Sequence, residues 1–155
     1  MSGRCQQDEV YAAEIGVSQG RFFTSIDEIQ QYVDSLRDTR EWNAMGWWIV
    51  SRIEVGPVGR GRSGSVGWYE KDKSAGRIEM ATCHWDQLTV LHEIAHVLAE
   101  AQHGSHAHDP CFARTYLVLV SSFMGASVYA ELQAAFDRHG VNYDFPIVPE
   151  SRFAL

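Results

Sequence analysis

At 155 residues the chain has room for one domain with its own buried core, and at that size neither a disulfide nor a metal is required to hold it together. Hydrophobic residues make up 45% and charged residues 21%, an ordinary globular balance, and no apolar run approaches the roughly 18 residues of a membrane helix. The net charge of −7 disfavours wholesale binding to nucleic-acid phosphates, which depends on clustered Lys and Arg.

The first residues lack the apolar core of a secretory signal, so the expected location is cytoplasmic. Cys5, Cys83 and Cys111 are odd in number, far apart and without CxxC spacing, which argues against a disulfide framework or a Cys-rich zinc site. Along the chain, Ser25-Ile26-Asp27-Glu28 has the form of a capping box, and Ile26, Ile29, Tyr32, Val33 and Leu36 follow at helical spacing. Trp47 to Val55 is rich in aromatic and β-branched residues and reads as a strand ending at Gly56-Pro57. Five glycines between Gly56 and Gly67 predict a mobile hairpin loop; without a GK[ST] ending this is not a phosphate-binding loop. Two more strands are expected, Val66 to Glu70 and Gly76 to Thr82, with a turn around Lys71-Asp72-Lys73-Ser74. The local excess of basic residues from Ser51 to Met80 reads as solvated strand faces and a loop tip.

Helical signals then take over. Asp86 is the expected N-cap of a helix running to about Glu100, and a polar, His-rich loop follows from Gln102 to His108. Asp109-Pro110 opens another helix, with Asp as N-cap and Pro in the first turn, and Phe112, Tyr116, Leu119 and Phe123 mark its apolar face. A last helix, about Ser127 to His139, stops at Gly140. The order is helix, strands, helices, in one domain over residues 1–155: an α+β fold with an N-terminal helix, a small, twisted, mainly antiparallel sheet, a central helix and C-terminal helices.

The central helix carries His92-Glu93-Ile94-Ala95-His96. Residues four apart share one helix face, so both imidazoles reach one cation, and neutral imidazole suits zinc. Glu93 lies near enough to act as general base toward a water at the metal. Leu88, Val90, Leu91, Ile94, Ala95, Val97 and Leu98 make the same helix apolar, where two imidazoles and a carboxylate are costly to bury unless ligated or paired. A catalytic zinc takes a third protein ligand, with candidates Glu100, His103, His106 and His108. Glu100 falls a turn too far along the helix. His108 is favoured because Asp109-Pro110 anchors it at a helix start, with His103 and His106 left open.

His92-Glu93-x-x-His96 followed by His108-Asp109-Pro110-Cys111-Phe112 resembles the HExxH…HGPxF pattern of SprT-like and related zincin metallopeptidases. Over nearly its full length the chain is also similar to a family of small metallohydrolases of actinobacteria and their phages. The shared features are Arg4-x-x-Gln7-x-x-Val10-Tyr11-Ala12-Ala13-Glu14, Phe23-x-Ser25-Ile26, Phe123-Met124-Gly125 and Ala135-Phe136-Asp137-x-x-Gly140-Val141. The resemblance implies a zincin-like fold with His92, His96 and His108 on zinc and Glu93 catalytic; it supplies no substrate. Asp109 stands where that pattern has Gly, as an N-cap or as a group orienting a ligand histidine.

The expected function is a zinc-dependent hydrolase, a metallopeptidase acting on a peptide or protein substrate laid along the sheet edge, taken to be Gly76 to Thr82, with no nucleic-acid or membrane partner. Tyr69 or Tyr116 is a candidate to assist at the oxyanion. The alternatives are a zinc-containing binding protein without turnover and, less favoured by the acidic balance, a metal-dependent nuclease.

Overall fold

The computed structural model describes residues 5–146; Arg4 lies outside the described residues. The architecture is mixed α+β, with helices α1 (Gln7–Glu14), α2 (Ile26–Arg37), α3 (Arg40–Ala44), α4 (Gln87–His103), α5 (Pro110–Phe123) and α6 (Ala126–His139), and strands β1 (Arg52–Pro57), β2 (Val66–Glu70) and β3 (Ala75–Met80).

Local chemistry sets the helix ends. Ser25 Oγ accepts from Glu28 N at 3.0 Å to start α2, and Asp86 accepts from both Thr89 N and Thr89 Oγ1 at 2.9 Å to start α4. The capping box is offset by one residue: the Glu28 carboxylate reaches past Ser25 and accepts from Thr24 N at 2.8 Å and Thr24 Oγ1 at 2.7 Å. Helix α4 runs a turn beyond the expected end, to the left-handed Gly104, so His103 belongs to the helix rather than to the loop.

The sheet corrects three expectations. Its order is β1-β3-β2, with β1 and β3 parallel and β2 and β3 antiparallel, so it is mixed rather than mainly antiparallel. Residues between β1 and β2 cross from one edge to the other past β3 and form no hairpin; the turn at Lys71–Lys73 joins β2 to β3, as the sequence predicts. The strand before the HExxH helix, β3, is central, and the edges are β1 and β2. A further difference lies at Trp47–Ile49, which forms a 3-10 turn instead of strand. Left-handed Gly46 swings the chain there, and Trp47 is buried edge-on to Trp42 at 5.4 Å, so burial rather than β-pairing uses its ring.

The two edges are treated differently. Gln30 of α2 covers β1, its amide donating to Ile53 O and accepting from Val55 N, both at 2.8 Å, as a neighbouring strand would. On β2 a single side chain among the described residues takes up an outward group: Glu100 Oε2 accepts from Tyr69 N at 3.0 Å. Tyr69 N therefore points away from β3, and with alternating direction along the strand the main chain of Gly67 points to the same open side.

Helix α4 lies across the sheet on β2 and β3 and packs its other side on α5. Leu88, Leu91, Ile94, Val97 and Leu98 are buried there, with Ile78 from β3 and Phe112, Tyr116 and Leu119 from α5. Two glycines permit the close approach: a Cβ at Gly67 would collide with the carbonyl oxygen of Glu93, and one at Gly76 with Val97. The middle of α4 is thereby fixed against the edge strand.

No helix of the described residues is long and apolar enough to cross a membrane.

Candidate metal centre

His92 and His96 project from one face of α4, and His108, the residue before the Asp109 cap of α5, comes back over that face. His108 Nε2 lies 3.1 Å from both His92 Nε2 and His96 Nε2. Two nitrogens bound to one tetrahedral zinc at its usual bond length sit roughly 3.3 Å apart, so the spacing fits a shared ion. The chemistry of the donors argues the same way. An imidazole nitrogen offers one in-plane site, either a lone pair or a proton, so three of them aimed at one point cannot all be satisfied by each other. A cation accepts all three lone pairs. The three rings can therefore hold a metal ion, and nothing in the geometry identifies which metal.

The cluster is buried on its protein side. Phe112, one turn into α5, stacks on His96 with centroids 4.2 Å apart and meets His92 and His108 edge-on. Burial, reinforced by neighbouring imidazoles, pushes His96 well below the usual histidine range and His108 down to about 3, so both are neutral and able to ligate at neutral pH. His92 behaves oppositely: burial acts to lower it, but the carboxylates of Glu14 and Glu93 outweigh that and raise it to about 9.

Glu14, on α1, is a site residue that sequence reasoning missed. Its Oε1 lies 2.6 Å from His92 Nδ1. A carboxylate accepts, so Nδ1 carries a proton held by Glu14, and Nε2 is the nitrogen that faces the cluster and ligates an ion once its own proton is displaced. Tyr11 was missed as well: it stacks on His92 at 5.8 Å, meets His108 edge-on at 5.2 Å and is about half exposed. The signal for both was weak. Tyr11 and Glu14 share a helix face only if residues 7–14 are helical, and that segment buries just Val10 and Ala13.

Glu93 is almost fully buried, takes no hydrogen bond from the described residues, and is raised to about 7, chiefly by burial. Two cavities, of about 400 and 300 Å³, meet at Tyr11, Ser65 and Glu93. The larger reaches His84 and Thr89; the smaller runs along Val66 and Gly67 to His96, His106 and His108. A third, about 650 Å³, continues from Tyr11 and Thr89 toward Ile15 and Gln19. The result is a cleft floored by α4, with α1 on one wall and the open edge of β2 on the other.

The remaining candidates lie outside the three-nitrogen cluster. His103, on the last turn of α4 and about 10 Å of helix rise beyond His96, packs on Phe145. His106 is exposed, its Nδ1 3.3 Å from Glu100 Oε1, and Glu100 is occupied by it and by Tyr69 N. Asp109 has φ −92, so it occupies ordinary extended backbone in place of Gly, and its Oδ1 accepts from Phe112 N at 2.9 Å and Ser105 Oγ at 2.8 Å. It caps α5; the ligand-orienting role falls to Glu14. Tyr116 is fully buried, its hydroxyl donating to Leu88 O at 3.4 Å, and Tyr69 packs against the core, so neither lines the cleft. Cys111 is buried and its thiol is pushed up to about 12 by burial and then by Asp109, which makes it an inert core residue.

Against protein-family models, curated proteins and solved structures alike, the chain gives no significant match.

Proposed function

We propose that this chain is a zinc-dependent hydrolase of zincin type that cleaves a peptide or amide bond, with His92, His96 and His108 as metal ligands and Glu93 as general base. The observation that carries this reading is the meeting of three Nε2 atoms beside a buried, unpartnered carboxylate in an open cleft. Zinc bound there supplies a Lewis acid that polarises a carbonyl and acidifies water. The protein does the rest. Glu93 takes the proton from the attacking water and returns it to the leaving amine, and no hydrogen bond from the described residues ties it down. The open edge of β2, with the main chain of Gly67 turned outward, offers pairing to an extended substrate, and Glu100 ends that edge at Tyr69.

Peptide is favoured over phosphodiester because no Lys or Arg lines any of the three cavities among the described residues, so beyond the metal itself nothing would offset Glu14 and Glu93 for a phosphate. A binding protein without turnover would have no use for Glu93 in its present position. The resemblance to SprT-like peptidases agrees with the hydrolase reading.

The test is metal analysis of protein purified without a polyhistidine tag, followed by mass-spectrometric digestion of a peptide library. About one zinc per chain and zinc-dependent cleavage are expected. Metal-free protein that cannot be reconstituted overturns the metal centre. A zinc-loaded protein that cleaves nothing in the library overturns the peptidase.

A further inference from the structure

Helix α1 supplies no ligand, yet it holds the cluster at three points. Glu14 Oε1 is 2.6 Å from His92 Nδ1, Gln6 N donates to the His108 carbonyl at 3.0 Å, and the Tyr11 ring lies across both histidines. The two ends of α1 thus grip one ligand on α4 and another in the segment that leads into α5. Its outer attachment is equally specific: Gln6 Nε2 donates to Asn142 O at 2.6 Å and Gln6 Oε1 accepts from Asn142 N at 2.8 Å, while α1 packs on α6. With only Val10 and Ala13 buried, the helix has little apolar area of its own to hold it down.

We propose that Glu14 is a positioning residue for the metal and that α1 is a strap whose docking is coupled to metal loading. The proposal rests on the metal-centre reading above. Glu14 holds the proton on His92 Nδ1 and orients the ring with Nε2 toward the other two histidines, so less ordering remains when the ion binds. Docking of α1 and metal binding then favour each other by one and the same factor, since coupling between two equilibria is reciprocal. The same helix carries Tyr11 and Glu14 into the cleft wall, so a chain without metal has a looser cleft as well as an empty centre.

Two measurements test it, both with zinc ion and neither needing a substrate. Zinc affinity by chelator competition should fall about 10-fold in Glu14→Gln, which keeps an acceptor but loses the charge, and up to about 100-fold in Glu14→Ala. Hydrogen exchange of residues 10–14 in the wild type should slow when zinc is added, and much less so in Glu14→Gln. A purely structural role would speed exchange equally with and without zinc and leave the affinity unchanged, and that result overturns the proposal. So does α1 exchange that ignores zinc in the wild type, a readout independent of any variant's folding. A wild type that binds no zinc instead removes the metal centre itself, which separates the two failures.

Discussion

Gly67 of β2 lies flat against the main chain of Glu93: beyond the colliding carbonyl oxygen, the carbonyl carbon and Cα of Glu93 would stand only 3.0 and 3.3 Å from a Cβ at position 67. The open edge strand and the turn of α4 that carries Glu93 are therefore in backbone contact, with no side chain between them to absorb a change.

Gly67→Ala should consequently be costly. The atoms in its way are backbone, which cannot change rotamer, so strand and helix must move apart, at a cost of about 1–3 kcal/mol. Urea unfolding should show a lowered midpoint with an unchanged slope. A midpoint equal to the wild type would mean that β2 and α4 are further apart than described.

Glu93→Gln should retain zinc and the fold while abolishing cleavage, because the amide is nearly isosteric with the carboxylate but cannot take up the proton. Zinc content and digestion of the peptide library, measured on the same preparation, check both halves. Undiminished cleavage would remove Glu93 from the role of base, and lost zinc would reveal a structural part for it.

His108→Ala should weaken zinc binding far more than His103→Ala or His106→Ala. His108 alone of the three places its Nε2 within 3.1 Å of the two helix nitrogens, and the Asp109 cap and Phe112 hold it there. Chelator competition on the three single variants decides the matter. Equal losses at His106 and His108 would point to shared ligation.

Glu28 makes a prediction about pH. Its carboxyl is lowered from 4.5 to about 2, first by the hydrogen bonds from the Thr24 hydroxyl and main chain and then by Arg21. A carboxylate with a depressed folded-state pKa stabilises the fold fully above its unfolded value, and that contribution is lost as pH falls from about 4.5 through about 2. Glu28→Gln should therefore lower the melting temperature at pH 6 and make little difference near pH 2. A gap that persists unchanged into acid would assign the effect to packing.

The helices α2, α4, α5 and α6 were legible because their determinants are local. Ser25, Asp86 and Asp109 cap within three residues, Gly140 ends a helix by its own backbone freedom, and apolar spacing marks the buried face. The pair His92 and His96 was legible for the same reason, since residues four apart share a helix face whatever surrounds them. Tertiary structure alone decided what depends on distant segments meeting. Nothing near β3 says that it will sit between β1 and β2, because strand order is a contest among pairings that all look alike locally. Helix α1 carries too weak an apolar pattern to announce itself and is held by α6 and the site. The choice among the loop histidines fell to His108 when α5 docked on α4, and Glu14 reached His92 across 78 positions of sequence. Capping and helical spacing act through bonds a few residues long, whereas a metal site with its supporting carboxylate is assembled by packing, whose partners have no fixed separation along the chain.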